Sequence, residues 1–338
     1  MKKYLPITCA LITILLFGAS TSPNKKSSYH IDNEIDTTAI IQLGRHLFYD
    51  KRLSANGTKS CSSCHDQRFA FTDGYRKSIG IYGENVRHNS QPIFNLLFNQ
   101  SLTWWNPTLE YAIQQIKIPM YGDTPHEMGI KGFEEKILVE LWNDSLYHKL
   151  MKNAFYTSKR FDLDQILLSL SFFCESIESF NSDWDNEILT ASELRGQDLF
   201  YSDSLNCTKC HLGMNMNHNR DGEQIIDNYW NIGLYNVNDK GDYPPDDLGL
   251  FELTKKQEDM GRFRTPSLRN LGFTAPYFHD GSAETLSEVI DIYMRGGRNV
   301  TYGNFQGDGK LNPYKSKEIK TFSLSKTEKA DLIDFLLC

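Results

Sequence analysis

Two short segments hold the residues best suited to chemistry: Cys61-Ser62-Ser63-Cys64-His65 and Cys207-Thr208-Lys209-Cys210-His211. In each, two thiols three positions apart can form thioethers with the two vinyl groups of one haem, while the adjacent histidine ligates its iron. The alternatives for such a pair are a zinc knuckle or a redox dithiol with an incidental histidine. Duplication argues against both. The copies begin 207 − 61 = 146 positions apart, and each follows a similar approach, Gly44-Arg45-His46-Leu47-Phe48-Tyr49 and Gly196-Gln197-Asp198-Leu199-Phe200-Tyr201. That internal repeat reads as the end of an amphipathic helix packing Leu-Phe toward a haem, so two haem c groups are expected, attached through Cys61, Cys64, Cys207 and Cys210 and ligated by His65 and His211.

The elements that must position these motifs are mainly helical. A first helical unit is predicted from about Thr38, with further helices over Leu109–Ile118 and Phe133–Leu141. Leu163, Ile166, Leu167, Leu170, Phe173, Ile177 and Phe180 recur at three and four, which predicts some five turns of amphipathic helix ended by Asn181-Ser182-Asp183. A second unit is predicted from about Thr190, and strand signals are few. The expected fold is therefore mainly α: two cytochrome c-like domains, 36–186 and 187–338, each with one covalent haem c, joined by long ordered loops. The last helix is a candidate to pack back on the first domain. Residues 212–262, rich in Gly, Asn and Asp and containing Pro244-Pro245, read as a loop-rich cover over the second haem edge.

Lys2 and Lys3 precede an apolar run from about Leu5 to Phe17, followed by Gly18, Ala19 and Ser20, the pattern of a cleaved secretory signal over 1–20. A polar leader follows over 21–35. The run is short for a bilayer span and contains Pro6, so export to the periplasm without a membrane span is expected. Cys9 lies too early, among the wrong neighbours, for lipid attachment. Of seven cysteines, only Cys174 and Cys338 lie outside the haem motifs and the signal, too few for a disulfide framework. The formal charge of −7 becomes −9 once Lys2 and Lys3 are removed, which argues against nucleic acid as a partner.

Several further segments give the chain a family likeness. Phe71-Thr72-Asp73-Gly74, Asn89-Ser90-Gln91-Pro92, Glu127-Met128-Gly129, Arg264-Thr265-Pro266-Ser267-Leu268-Arg269-Asn270, Thr274-Ala275-Pro276-Tyr277-Phe278-His279-Asp280-Gly281 and Tyr293-Met294-Arg295-Gly296-Gly297 together resemble the bacterial di-haem cytochrome c peroxidase and MauG superfamily. The resemblance implies that the His65 haem is peroxidatic and the His211 haem receives and stores electrons. It implies that Glu127 is the acid–base group, approached by Gln115 and Pro119, and that Trp105 is a relay tryptophan with Trp104 as its neighbour and competitor. It also implies a calcium ion held by the Asn89 side chain and the carbonyls of Thr274 and Pro276. The stretch Ser78-Ile79-Gly80-Ile81-Tyr82-Gly83 has no histidine where peroxidases of this family place a distal ligand, so the first iron is expected to be open without prior reduction. His88 is the nearest substitute. For the second iron the resemblance points to Tyr293, as in MauG, with Met294 as the alternative, since adjacent helical residues point about 100° apart.

The function implied is an exported di-haem peroxidase reducing hydrogen peroxide with electrons from a small donor protein, a cytochrome c or cupredoxin, with a homodimer possible. A MauG-like oxidase acting on a protein or small molecule through a high-valent di-haem state is the alternative. A plain electron-transfer cytochrome is the third reading.

Overall fold

The computed structural model describes residues 36–217 and 224–338. The signal, the leader and Cys9 lie outside the described residues. Nine α-helices occur among them: α1 (Thr37–Phe48), α2 (Ala112–Tyr121), α3 (Glu134–Trp142), α4 (Ser145–Ala154), α5 (Leu163–Glu175), α6 (Ala191–Phe200), α7 (Phe251–Thr254), α8 (Leu286–Arg295) and α9 (Lys326–Leu337). Sheet is limited to two antiparallel pairs of two-residue strands: β1 (Tyr229–Trp230) with β2 (Phe263–Arg264), and β3 (Asn299–Val300) with β4 (Gly307–Asp308). The mainly helical expectation is met. No helix among the described residues is long and apolar enough to cross a membrane.

The repeated sequence becomes a repeated helix crossing. Asp36 caps α1 through the Thr38 and Ala39 amides, and Thr190 with Glu193 closes a capping box at α6. α1 crosses α5 and α6 crosses α9. At each crossing a glycine allows the approach, because a Cβ on Gly44 would run into the Ser169 carbonyl and one on Gly196 into the Asp331 carbonyl. The last helix thus packs on α6, in its own half, and its end also meets Trp184.

Three apolar clusters hold the elements together. Ile40, Leu43, Leu47 and Phe48 of α1 meet Ile166, Leu167, Leu170 and Phe173 of α5 beneath α2–α4. Phe200, Leu205, Ile290, Leu332 and Phe335 form a second core from α6, α8 and α9. Between them, Trp104 packs with Leu234, Tyr235, Tyr243, Met260 and Phe263. Residues 234–260 thus supply much of an aromatic core that holds the loop carrying Trp104.

Helix boundaries differ from the periodic pattern in two places. α5 stops at Glu175 although apolar spacing continues to Phe180, because the chain turns at Ser176 and Ile177–Ser179 is drawn to Asn95, whose amide and side chain bond to Ile177 and Ser179. α2 begins at Ala112, where Gln114 caps the Tyr111 amide. No helix was foreseen over Ser145–Ala154; α4 starts there on the Asp144 side chain.

Candidate haem sites

Each Cys-x-x-Cys-His segment folds as a tight 3₁₀ turn in which the histidine amide bonds to the first cysteine's carbonyl at 3.0 Å. The histidine side chains are then locked in the same way. His65 Nδ1 donates to the Phe71 carbonyl at 2.9 Å, and His211 Nδ1 donates to the Met216 carbonyl at 2.9 Å. A carbonyl can only accept, so the proton sits on Nδ1 and the Nε2 lone pair is left for a metal. Both acceptors have left-handed backbone, φ +62° at Phe71 and +47° at Met216, an uncommon conformation for non-glycine residues. Burial keeps the imidazoles neutral, lowering His65 and pushing His211 down to about 4 against the bonds their nitrogens make.

At the first site the Glu127 segment is held from both sides. Ile81 N–H bonds to the His126 carbonyl at 2.9 Å, Met128 N–H to the Pro119 carbonyl at 3.0 Å, and Ala55 N–H to the Met128 carbonyl at 2.9 Å. Glu84 accepts the His126 amide at 2.8 Å. Glu127 itself makes no hydrogen bond among the described residues, and burial alone raises its carboxyl to about 7. It lies within electrostatic reach of Cys64, whose thiol is pushed up to about 11 by burial, then by the charges of Asp73 and Glu127, against a bond from Ser78. One turn before Pro119, Gln115 Oε1 is buried without a donor. The stretch 78–83 buttresses this segment, with Gly80 tight against the His126 carbonyl. His88 is committed elsewhere: its Nε2 bonds to Asp247 at 2.8 Å.

At the second site a cavity of about 200 Å³ is walled by Cys207, Cys210, His211 and the α8 face Leu286, Val289, Ile290 and Tyr293. Tyr293 thus faces the same space as the attachment motif, and burial, with the nearby cysteines, raises its phenol. Met294 does not line that cavity and packs against the apolar cluster of α6, α8 and α9. Met214 is exposed, and Met216 is buried, giving its carbonyl to His211.

Two groups on this wall fit a haem's carboxylates. Arg264 is buried, its guanidinium bonded only to the neutral oxygens of Thr103, Thr265 and Gln91. Trp230 Nε1 is buried with no acceptor. A buried cation without a counter-charge is costly, and an anionic ligand carboxylate supplies one.

Asn89, Thr274 and Pro276 also meet on this wall. The Asn89 amide nitrogen donates to the Tyr75 carbonyl at 2.9 Å, and no donor among the described residues reaches its Oδ1 or the carbonyls of Thr274 and Pro276. Three oxygens so placed suit a hard cation. Of the two tryptophans, Trp104 lines the cavity and donates Nε1 to the Asn89 carbonyl at 3.0 Å. Trp105, the one indicated by motif spacing, is half-buried under the Arg87 guanidinium, 5.6 Å from its ring centre.

The sequence reading did not single out Trp230 or Asp247. Asp247 lies in Asp-Leu-Gly after Pro-Pro-Asp, with no nearby signal that marks it as a partner of two histidines.

A model of the di-haem cytochrome c peroxidase family matches residues 38–193. A solved MauG-like protein associated with microbial copper homeostasis is 41% identical, covers 88% of each chain and superposes with a TM-score of 0.84. The chain belongs to the di-haem cytochrome c peroxidase and MauG family. Within that family, MauG of Methylorubrum extorquens is 26% identical over 89% of this chain and 78% of its own. The cytochrome c551 peroxidase of Pseudomonas aeruginosa is 28% identical over 88% and 81%. The diheme peroxidase BthA of Burkholderia thailandensis, 20% identical with a TM-score of 0.65, shares the fold. Membership makes the chain an oxidoreductase-family protein and implies two haem c groups, which the two attachment turns fit.

Proposed function

We propose that this chain uses hydrogen peroxide at the His65 site, with Glu127 as the group that moves the proton. The supporting observation is a desolvated carboxyl near Cys64, raised to about 7 by burial, beside a 78–83 loop without histidine and with His88 bound to Asp247. Cys61 and Cys64 hold the haem, His65 ligates it, and the bound haem supplies a coordination position where peroxide can be cleaved. Glu127 accepts the proton of the nearer peroxide oxygen and delivers it to the farther one, which leaves as water. The pinned backbone at 126 and 128 keeps the carboxyl in place for both transfers.

Cys207, Cys210, His211 and Tyr293 hold the second haem in this reading, and Trp104, at the wall with Trp105 behind it, lies on the route between the sites. Asn89, Thr274 and Pro276 carry calcium. Two uses of the peroxide follow, reduction with electrons from a small donor protein or oxidation of another substrate. Tyr293 on the cavity face of α8, with the 41% identity to a MauG-like protein, favours the second. An anionic phenolate stabilises ferric iron more than a thioether does, which suits a store of oxidising power better than a high-potential entry point. The expected setting is the periplasm.

The deciding experiment is Glu127→Gln, which keeps size but cannot carry the proton. Peroxide consumption should fall about 10²–10⁴-fold with both haems attached and both resting spectra unchanged. Parent-level consumption would overturn the assignment.

A further inference from the structure

Asp247 sits between Pro244-Pro245 and α7 and is 3% exposed. One carboxylate oxygen accepts His88 Nε2 at 2.8 Å; the other lies 3.1 Å from His279 Nε2, close to it but outside hydrogen-bond geometry. His88 comes from the loop after the first attachment turn, and His279 from the segment beside the second cavity. A carboxylate from a third segment therefore joins the two. The His279 ring is stacked on Phe263, with centroids 3.5 Å apart and planes 12° apart, which fixes the direction of its Nε2.

The backbone continues this junction. Asn89 N–H donates to the His279 carbonyl at 2.8 Å, and the Asn89 carbonyl receives Trp104 Nε1. Arg87 adds a second strap to the same loop, donating to the Asp246 carbonyl and the Glu252 carboxylate. A carboxylate this deeply buried is tolerated only with its partners in place. Removing it takes away the acceptor of His88 Nε2 and the negative charge 3.1 Å from His279 Nε2.

We propose that Asp247 is a positioning residue that holds Asn89 and Trp104 against the 274–279 segment, through His88 on one side and His279 on the other. Asn89, Thr274 and Pro276 keep their mutual placement because this carboxylate keeps theirs. The calcium readout below rests on the calcium reading given above; the exchange readout does not.

The test uses the full chain with both haems attached. In Asp247→Asn the amide accepts from one imidazole and turns N–H toward the other. Amide hydrogen exchange should quicken at residues 87–90 and 277–281, while α1, α5, α6 and α9 keep their protection. Calcium, titrated calorimetrically, should bind about 10–100-fold more weakly. His88→Gln, whose side-chain amide offers a donor near the position of Nε2, should stay close to the parent, and His88→Leu should reproduce Asp247→Asn.

Unchanged exchange at both segments in Asp247→Asn overturns the proposal. If that variant does not fold, equal exchange in His88→Gln and His88→Leu overturns it just as well, and separation of the two supports it. A parent that binds no calcium sinks the calcium reading alone and leaves the exchange arm to decide.

Discussion

At the first site, the pinned 126–128 segment presents a carboxyl with no hydrogen-bond partner among the described residues, Glu127; at the second, the cavity wall that includes His211 presents a phenol, Tyr293, on α8. The histidine sides are nearly the same: a 3₁₀ turn, a buried imidazole, and Nδ1 tied at 2.9 Å to a carbonyl in left-handed backbone. One local device has thus been used twice, and in the function proposed above the two halves differ in the group each adds to it. An acid that makes no other bond can move a proton. A phenol that faces an iron can close it and tune it.

The largest test of this comparison is covalent. Cys61→Ser with Cys64→Ser should remove one haem mass and all reaction with peroxide, whereas Cys207→Ser with Cys210→Ser should remove the other haem only. Mass spectrometry of the purified proteins decides it, and two retained haems in either variant would break the symmetry claimed here.

Next in size is the pH profile. Burial raises the Glu127 carboxyl to about 7, and the ionised form is the proton acceptor. Peroxide consumption should rise with pH through about 7 and fall roughly tenfold per unit below it. Glu127→Gln should show a low, flat profile by stopped flow. A parent profile that is flat from pH 5 to 8 would count against Glu127 as the titrating group.

The second site can be sharpened by the Tyr293 and Met294 pair. Tyr293→Phe should alter the resting spectrum of one haem and move its potential upward in a redox titration. Met294→Leu should leave both spectra near the parent's, since Met294 does not line the cavity and packs against the α6, α8 and α9 cluster. The reverse result would hand the position to the thioether.

The smallest expected effect is structural and concerns the loop behind His211. Arg269 donates to both Asp185 oxygens at 2.7 Å and to the Met214 carbonyl at 2.6 Å, bracing the loop whose Met216 holds His211. Arg269→Met should cost about 1.5–3 kcal/mol in denaturant unfolding at pH 7. The Arg269 bond lowers the Asp185 carboxyl to about 2 from 3.8, so its contribution is present above about pH 4 and is lost as pH falls toward 2. Parent and variant should converge there; a stability gap that persists at pH 2 would mean that the ion pair is not its source.

Much of the helical frame was legible because its signals are local. Apolar residues at three and four place α1 and α5, and Thr190 with Glu193 marks the start of α6. α4 carries the same local signal, with Tyr147, Leu150, Met151 and Ala154 at three and four behind the Asp144 cap, so it was legible in the sequence and was missed there. The end of α5 was misjudged because Asn95, far away in the chain, claims Ile177 and Ser179.

What the sequence alone determined is the attachment chemistry. Two cysteines and a histidine within five residues define it, and the chain between them has no room to place them otherwise. What only the tertiary structure decided is where the neighbouring groups point: Tyr293 rather than Met294 on the cavity, Trp104 rather than Trp105 at its wall, and His88 held by Asp247. The His88–Asp247 bond joins residues 159 positions apart, and Arg264 reaches Gln91 across 173. A side chain's direction at such sites is set by which distant segments pack against it. Those contacts form only once the helices have crossed and their cores have closed, so no local spacing encodes them.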